Sequence, residues 1–234
     1  MFKIFLTLCI GASLLACSSH LQVSSNRIAI GNSIAGNSST DSIIKPYRDS
    51  MNLSMGKIIA LSENDFIVER PSSNLMNWVA DAIFIQQTQT IKTKTPIICL
   101  LNTGGIRSSL GKGNLTIGDF FKLMPFDNTL VWVEMPIETL AEVGAFVTKT
   151  GGEPLSNCTV QNGKLQLNSM PEGTTHFIII TSDYLAYGGD KMDFFKKGKI
   201  INETGKLMRD VLIEHAKQQS TLISTNEIRV FKLD

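Results

Sequence analysis

The chain has 234 residues, of which 43% are hydrophobic and 18% are charged, and its formal net charge is +1. A chain of this length can bury a sizeable core within one or two domains. The balanced charge argues against nucleic-acid binding, which needs a clear basic excess, and the composition excludes collagen-like, disordered and disulfide-scaffold proteins.

The N-terminus has the pattern of an export signal. Residues 1–16 (MFKIFLTLCIGASLLA) carry one lysine and an apolar run that is too short to anchor stably in a bilayer. The segment LLAC (14–17) resembles a bacterial lipobox, which implies cleavage before Cys17 and lipidation of that residue. An ordinary signal peptide with a chance cysteine is the alternative. We expect an exported, lipid-anchored protein in the periplasm or at the outer membrane or cell surface of a Gram-negative-type bacterium.

Residues 17–40 are predicted to be a flexible tether, because they are rich in serine, asparagine and glycine and lack a sustained apolar period. The folded domain is expected to span residues 41–234. It contains two of the four cysteines, Cys99 and Cys158. We favour two buried thiols, although the oxidising compartment expected for an exported protein permits a disulfide, which sequence does not decide.

The body of the chain alternates helical and strand patterns. Apolar residues recur at helical spacing in 75–87, whereas the almost wholly apolar run 96–101 is typical of a buried strand. Asn162-Gly163 predicts a hairpin turn. The remaining predicted elements are, in chain order, a helix over 42–53, paired strands over 57–61 and 65–69, a helix over 116–123, a strand over 129–134, a helix opened by Pro136, a strand over 176–181, a helix over 205–218 and a strand over 227–233. This order predicts an α/β fold with helices over mixed sheets.

One loop with ligand-binding chemistry directly follows the predicted strand over 96–101. It reads NTGGIR (102–107). Ligands of layered α/β folds bind beyond the carboxyl ends of strands. Gly104 and Gly105 allow the backbone to approach a ligand, and Arg107 offers a planar fork that suits phosphate. Taken alone, this motif can also be a plain turn.

Two further loops have complementary residues. PFDN (125–128) contains an aromatic residue that can equally belong to the core, and DYLAYGGD (183–190) again follows an apolar strand. The second loop suits a planar ring stacked on Tyr184 and a diol hydrogen-bonded to Asp190. Stacking of a base on an aromatic side chain contributes roughly 1–3 kcal/mol.

Four motifs together resemble one family. PSSNLMNWVADA (71–82), NTGGIR (102–107), LTIGDFFKLMPFDNTLV (115–131) and DYLAYGGD (183–190) are similar, in order and spacing, to motifs of the 5′-nucleotidase C-terminal domain. The resemblance covers about 41–234. It implies a single domain with a four-layer α/β/β/α fold and mixed sheets, which holds the nucleoside part of a nucleotide or nucleotide sugar.

The resemblance also implies a set of substrate-binding residues. Two aromatic residues would sandwich the base, polar and glycine residues of the first loop would lie along the phosphate and ribose, and an acid would accept from the ribose hydroxyls. By motif these are Phe126 and Tyr184 for the base, Asn102, Gly104 and Arg107 for the phosphate and ribose side, Asp190 for the hydroxyls, and Asn128 lining the pocket. The sequence departs from the family at Thr103, Asp127 and Lys191, where members commonly have glycine. Members also commonly have an arginine near position 69, and the arginine nearest to that position here is Arg70.

The catalytic half of the family's enzymes is not recognisable in the sequence. Their two-metal sites need clustered Asp, His and Asn ligands that hold two cations about 3.5–4 Å apart. This chain has three histidines, His20, His176 and His215. None belongs to an Asp-x-His, Gly-Asn-His or Gly-His motif, and we expect surface or hydrogen-bonded core positions for His176 and His215.

We therefore predict the nucleotide-binding, substrate-recognition half of a 5′-nucleotidase or nucleotide-sugar hydrolase in nucleotide catabolism. A separately encoded metallophosphoesterase chain would supply catalysis and the divalent metals, so we expect no catalytic residue, cofactor or metal ligand in this chain and no activity alone. Its predicted partners are a nucleotide or nucleoside, that catalytic chain and a membrane, but no nucleic acid. The alternatives are a stand-alone nucleotide- or nucleoside-binding lipoprotein of the cell envelope, independent hydrolysis, and a degenerate assembly domain.

Overall fold

The computed structural model describes residues 21–27, 36–89 and 91–231. The predicted signal sequence and the lipidation site at Cys17 lie outside these residues, so the boundaries at 16 and 40 remain predictions. The chain divides into a unit Met1–Lys45 and a unit Pro46–Asp234.

Helix α1 (Ser38–Met55) is longer than the predicted helix over 42–53. It begins after Asn37, whose side-chain oxygen accepts hydrogen bonds from the backbone N–H groups of Ser39 and Thr40 at 3.0 and 3.1 Å. Such a cap satisfies N–H groups that have no partner within the helix. No residue of α1 is buried. Among the described residues, no helix combines the length and apolar character needed to cross a membrane.

The predicted pairing of a strand over 57–61 with a strand over 65–69 is wrong. Strand β1 (Ile58–Ser62) pairs antiparallel with β3 (Gly113–Thr116), and Phe66 makes only an isolated bridge with Leu110. The side chain of Asn74 binds the backbone N–H of Ile67 and the carbonyl of Asp65. Side-chain bonds therefore satisfy backbone groups that a strand ladder would otherwise use.

The central sheet has five strands, β2 (Ile97–Leu100), β4 (Thr129–Pro136), β5 (Leu155–Ser156), β8 (His176–Ser182) and β9 (Lys199–Leu207). Their order in the sheet is β5-β2-β8-β4-β9. Strands β2 and β8 are parallel, whereas the other neighbouring pairs are antiparallel. A separate hairpin pairs β6 (Cys158–Gln161) with β7 (Lys164–Leu167) around the predicted turn.

The helices confirm the predicted alternation with strands. They are α2 (Asn74–Thr88), α3 (Ile117–Leu123), α4 (Leu140–Lys149), α5 (Asp183–Ala186) and α6 (Met208–Gln219), with a short 3₁₀ turn (Ile137–Thr139) after Pro136. Ser73 caps α2, and Thr116 and Asp119 form a capping box at α3. Together with the mixed sheet, these helices confirm the predicted mixed α/β fold.

Two hydrophobic clusters cover the two faces of the central sheet. Ile97 and Cys99 belong to one cluster with residues of α2 and α6, and Ile98 and Leu100 belong to the other with residues of α4 and the hairpin. Successive side chains of a strand point to opposite faces, which explains this division. Cys158 lies in the second cluster, and both cysteines are free and buried. Burial raises the pKa of the Cys158 thiol to about 12, so this thiol is protonated and unreactive at neutral pH.

Two predictions for the C-terminal region are wrong. Residues 205–207 end β9 rather than beginning α6, and β9 itself was not predicted, because its edge-strand residues are mostly exposed and polar. The predicted strand over 227–233 is an isolated bridge between Val160 and Val230 in its described part. The Arg229 guanidinium, which pairs with both carboxylate oxygens of Asp81 at 2.7 and 2.8 Å, fixes this segment to α2.

Candidate functional site

The sheet topology brings three loops to one edge. The parallel strands β2 and β8 end at the same side, so the loops that follow them, 102–107 and 183–190, emerge together. Strand β4 runs antiparallel to β8 and pairs Leu130 with Ser182. It therefore begins at this edge, and the loop 124–128 that precedes it joins the other two.

The three loops enclose a cavity of about 380 Å³. All seven residues that sequence predicted for substrate binding line it, and Gly105 joins them. The lining consists of Asn102, Gly104, Gly105, Arg107, Phe126, Asn128, Tyr184 and Asp190. The structure thus assembles the predicted set, while its role in binding remains a prediction. A cavity of this size is within the range of small-molecule sites.

Two aromatic rings are available to a ligand in this cavity. Phe126 is 49% exposed and Tyr184 is 48% exposed, so neither belongs to the core. The guanidinium carbon of Arg107 lies 6.0 Å from the centroid of the Phe126 ring. Half-exposed aromatic rings in a cavity offer flat apolar faces to a planar ligand group.

The carboxylate of Asp190 is held by two neighbouring side chains. One oxygen accepts from Asn102 Nδ2 at 2.6 Å, and the other accepts from the Tyr184 hydroxyl at 2.8 Å. A carboxylate has about four acceptor positions, so this arrangement fixes the group and leaves acceptor capacity for a ligand. Asp190 and Lys191 both have positive φ, of 51° and 63°. Such backbone strain in residues other than glycine is concentrated at functional sites.

The glycine pair of the first loop lies in a 3₁₀ turn, Thr103–Gly105. A Cβ on Gly105 would come within 2.8 Å of Asn102 Oδ1, so a larger residue there would displace Asn102. The turn is anchored by Glu153, which is 5% exposed and accepts from the backbone N–H of Thr103 at 2.6 Å and from its hydroxyl at 2.8 Å. The loop is therefore a fixed wall of the cavity rather than a plain surface turn.

A second cavity of about 460 Å³ adjoins the first. The two share Gly104 and Asp190. Arg70 and Lys191 line the second cavity, and Arg70 forms an ion pair of 3.3 Å with Glu153. Basic side chains therefore lie next to the cavity that holds the aromatic rings.

The sequence did not indicate a role for Arg209, which binds the loop 124–128 beside the cavity. Its side chain is 7% exposed and forms an ion pair of 2.7 Å with Asp127, the neighbour of Phe126. The available signal was its position on α6, because Arg209 stands at helical spacing from the buried apolar residues Leu212 and Ile213. A charged residue on an apolar helix face indicates a specific partner.

His176 and His215 belong to no candidate metal-binding group in the part of the chain that the structure describes. Within the described ranges, no group of three or more His, Cys, Asp or Glu side chains could hold a metal ion. His176 is exposed at the start of β8. His215 is buried 5.8 Å from the Trp78 ring and makes a hydrogen bond of 3.1 Å with Gln86, as expected for a hydrogen-bonded core histidine. His20 lies outside the described residues.

Comparison with known proteins finds a family model that matches part of the chain. Residues 54–143 match the family model described as "5′-nucleotidase, C-terminal domain". Over these residues the chain is similar to this family. The matched segment of the 5′-nucleotidase C-terminal domain includes Asn102, Arg107 and Phe126, whereas Tyr184 and Asp190 follow it in sequence.

Two curated relatives are named as an apyrase and a nucleotidase. The chain is 26% identical over 191 residues to an apyrase of Tabanus yao, an alignment that covers 67% of this chain and 34% of the apyrase. It is 26% identical over 146 residues to the NAD 5′-nucleotidase of Haemophilus influenzae, covering 51% of this chain and 24% of that enzyme. The chain thus aligns with about a third or less of the length of each of these relatives.

Solved structures share the fold. A 5′-nucleotidase precursor from Thermus thermophilus superposes with a TM-score of 0.69 at 23% identity, over 83% of this chain and 43% of that one. The NAD nucleotidase of Haemophilus influenzae superposes with a TM-score of 0.58 at 19% identity, over 83% of this chain and 41% of that one. The 5′-nucleotidase C-terminal fold therefore extends over most of the chain.

Proposed function

We propose that this chain is the nucleotide-binding half of a 5′-nucleotidase or nucleotide-sugar hydrolase. In this proposal a separate metallophosphoesterase chain performs the hydrolysis. The observation that carries it is the single cavity in which three loops, distant in sequence, bring together the seven predicted residues. The similarity to 5′-nucleotidases suggests a nucleotide ligand, and the cavity contains groups that suit each part of a nucleoside.

Contacts to the base and to the ribose hold the nucleoside in the cavity. The base stacks against Phe126 and Tyr184, which contribute their exposed faces. Asp190 then accepts hydrogen bonds from the ribose diol, because Asn102 and Tyr184 hold its carboxylate without using all of its acceptor capacity. Asn128 lines the same cavity and offers both a donor and an acceptor.

The phosphate lies on the basic side of the sugar. Arg107 lines the first cavity, and Arg70 and Lys191 line the second, which begins at Gly104 and Asp190. Guanidinium groups match phosphate geometry. Because Arg70 is paired with Glu153, Arg107 and Lys191 are the main attraction for the anion. The net charge of the chain is only +1 and creates no strong global field.

The catalytic step belongs to the metallophosphoesterase in this proposal. The chain holds the nucleoside so that its phosphate is presented to the partner's metals, and the orientational entropy is lost on binding rather than in the chemical step. The alignments with the two curated relatives cover a third or less of each, so the chain is similar to one part of those proteins. The lipobox-like segment at 14–17 supports a lipid-anchored location at the cell envelope.

Calorimetric titration with AMP tests the binding site. We expect saturable binding of AMP by the full chain, and loss of that binding in the double variant Phe126→Ala/Tyr184→Ala. Tyr187→Ala is the matched control, because Tyr187 is 70% exposed and does not line the cavity. Absence of AMP binding by the unmodified chain, or equal binding by the double variant, would overturn the proposal.

Phosphate release tests the division of roles. With AMP and Mn²⁺, we expect the chain alone to release phosphate at the background rate. A purified metallophosphoesterase from the same cell should then release it faster when the chain is added. Metal-dependent hydrolysis by the chain alone contradicts the division. Tight AMP binding with no effect on any such partner favours the stand-alone binding lipoprotein instead.

A further inference from the structure

The turn that carries Phe126 is fixed on both sides by the first residues of α6. Arg209 Nη1 donates to the carbonyl of Met124 at 3.1 Å, and Arg209 Nη2 donates to Asp127 Oδ1 at 2.7 Å. The backbone N–H of Met208 donates to the carbonyl of Asn128 at 3.0 Å. These bonds bracket Phe126, which lies between the bonded residues.

The side chain of Arg209 is well suited to hold this turn. It is 7% exposed, and its guanidinium carbon lies 4.0 Å from the centroid of the Phe121 ring. Stacking on that ring fixes the plane of the fork. Asp127, in contrast, is 77% exposed and lies on the turn. The ordered member of the pair is therefore the arginine, and it restrains the loop.

The burial of this charge needs an explanation. A buried guanidinium is costly unless it is paired and hydrogen-bonded, and Arg209 Nε has no hydrogen-bond partner among the described residues. Both hydrogen bonds that Arg209 does make go to Met124 and Asp127, on the two sides of Phe126. A residue that only completed the core could be apolar, as its helix neighbours Leu212 and Ile213 are.

We propose that Arg209 is a positioning residue for the ring of Phe126. It acts through Asp127 and Met124 and holds the half-exposed ring in the cavity before a ligand arrives. Rigidly held contact groups lose less entropy on binding, so this restraint raises affinity without contacting the ligand. The inference rests on the proposed function, because a positioned ring matters only where the cavity binds a nucleotide.

AMP titration of five variants tests the proposal. We expect Arg209→Met to weaken AMP binding about tenfold and Asp127→Asn, which keeps a neutral acceptor, to weaken it less. Asp210→Asn is the matched control at the adjacent exposed residue, and its affinity should equal that of the unmodified chain. In a Phe126→Ala background, Arg209→Met should cause no additional loss. A full additional loss in that background would show that Arg209 acts elsewhere and would overturn the proposal.

A measurement without ligand separates this inference from the proposed function. 4-Fluorophenylalanine placed at position 126 gives one ¹⁹F resonance that reports the environment of the ring. We expect Arg209→Met to shift and sharpen this resonance towards that of a free side chain, and Asp210→Asn to leave it unchanged. An unchanged resonance in Arg209→Met overturns the positioning role. If the resonance moves but the unmodified chain does not bind AMP, the proposed function fails, whereas the positioning of Phe126 by Arg209 is supported.

Discussion

Gly189 lies directly against the ring of Tyr184, and a Cβ at Gly189 would come within 2.5 Å of a ring carbon. The absence of a side chain at this position allows the ring to lie where its hydroxyl donates to Asp190. The two residues are in one short loop, so the glycine determines where the aromatic face is presented. The position of the Tyr184 ring in the cavity therefore depends on the glycine at position 189.

The substitution Gly189→Ala should therefore move the Tyr184 ring. We expect AMP binding to weaken at least roughly tenfold, and the free energy of unfolding to fall by about 1–3 kcal/mol, the usual cost of overpacking. Calorimetry and urea unfolding measure the two effects. Gly111→Ala is the control, because the nearest atom to its added Cβ, Asp65 Oδ1, lies 4.0 Å away. Equal AMP affinity in Gly189→Ala and the unmodified chain would contradict the assigned role of the ring.

Asp190 should distinguish nucleotides by their sugar hydroxyls. If its carboxylate accepts from the ribose diol, AMP should bind roughly 10–100-fold more tightly than 2′,3′-dideoxy-AMP, as expected for hydrogen bonds to a charged group. In Asp190→Asn the preference should largely disappear, since an amide has one acceptor oxygen in place of two. A preference that survives in the variant would place the diol elsewhere in the cavity.

The composition of the site could be predicted from sequence because its loops follow strong strand signals. The apolar runs that became β2 and β8 located the loops 102–107 and 183–190, and their parallel pairing placed both at one edge. The bond between Asn102 and Asp190 joins residues 88 positions apart. No local pattern specifies such a contact, because it depends on how the strands align.

The features that sequence missed have weak local signals. Strand β9 is a mostly exposed edge strand, and its residues lack the apolar alternation that identifies a half-buried strand. The C-terminal segment has strand-like residues but is fixed mainly by side chains, including Asn77, which donates to the carbonyls of Thr225 and Glu227 at 3.0 and 2.9 Å. The partner of Arg209, Asp127, is 82 positions away. These contacts arise from tertiary structure alone.

The ion pair of Asp81 with Arg229 should contribute strongly to stability. The Arg229 side chain is 10% exposed, and Asp81 accepts from it through both oxygens. Asp81→Ala removes the two-oxygen partner of a buried guanidinium and leaves it one longer ion pair, of 3.3 Å with Glu227, so the free energy of unfolding should fall by about 3 kcal/mol. Asp193→Ala is the control, because its pair with Lys196 is largely exposed (69% and 64%) and should contribute less than about 1 kcal/mol. Equal losses in the two variants, measured by urea unfolding, would show that burial of the pair has little effect.

His215 should make the protein less stable in mild acid. Burial lowers the pKa of His215, and the nearby carboxylate of Asp81 only partly opposes this effect. The pKa in the unfolded chain is about 6.5, so below that pH the unfolded state binds a proton that the folded state resists. The free energy of unfolding should therefore be fully retained above about pH 6.5 and fall as the pH drops towards the lower, folded pKa.

Urea unfolding between about pH 7.5 and about pH 5.5 measures this dependence. His215→Gln lacks the titrating group, so its stability should be lower at neutral pH through lost contact with Trp78 but should fall less steeply on acidification. The difference between the two proteins should thus narrow as the pH falls. His176→Gln is the control at an exposed histidine, and its profile should follow that of the unmodified chain. A constant difference across the range would mean that His215 binds its proton equally in both states, and that its burial has no consequence for the response to acid.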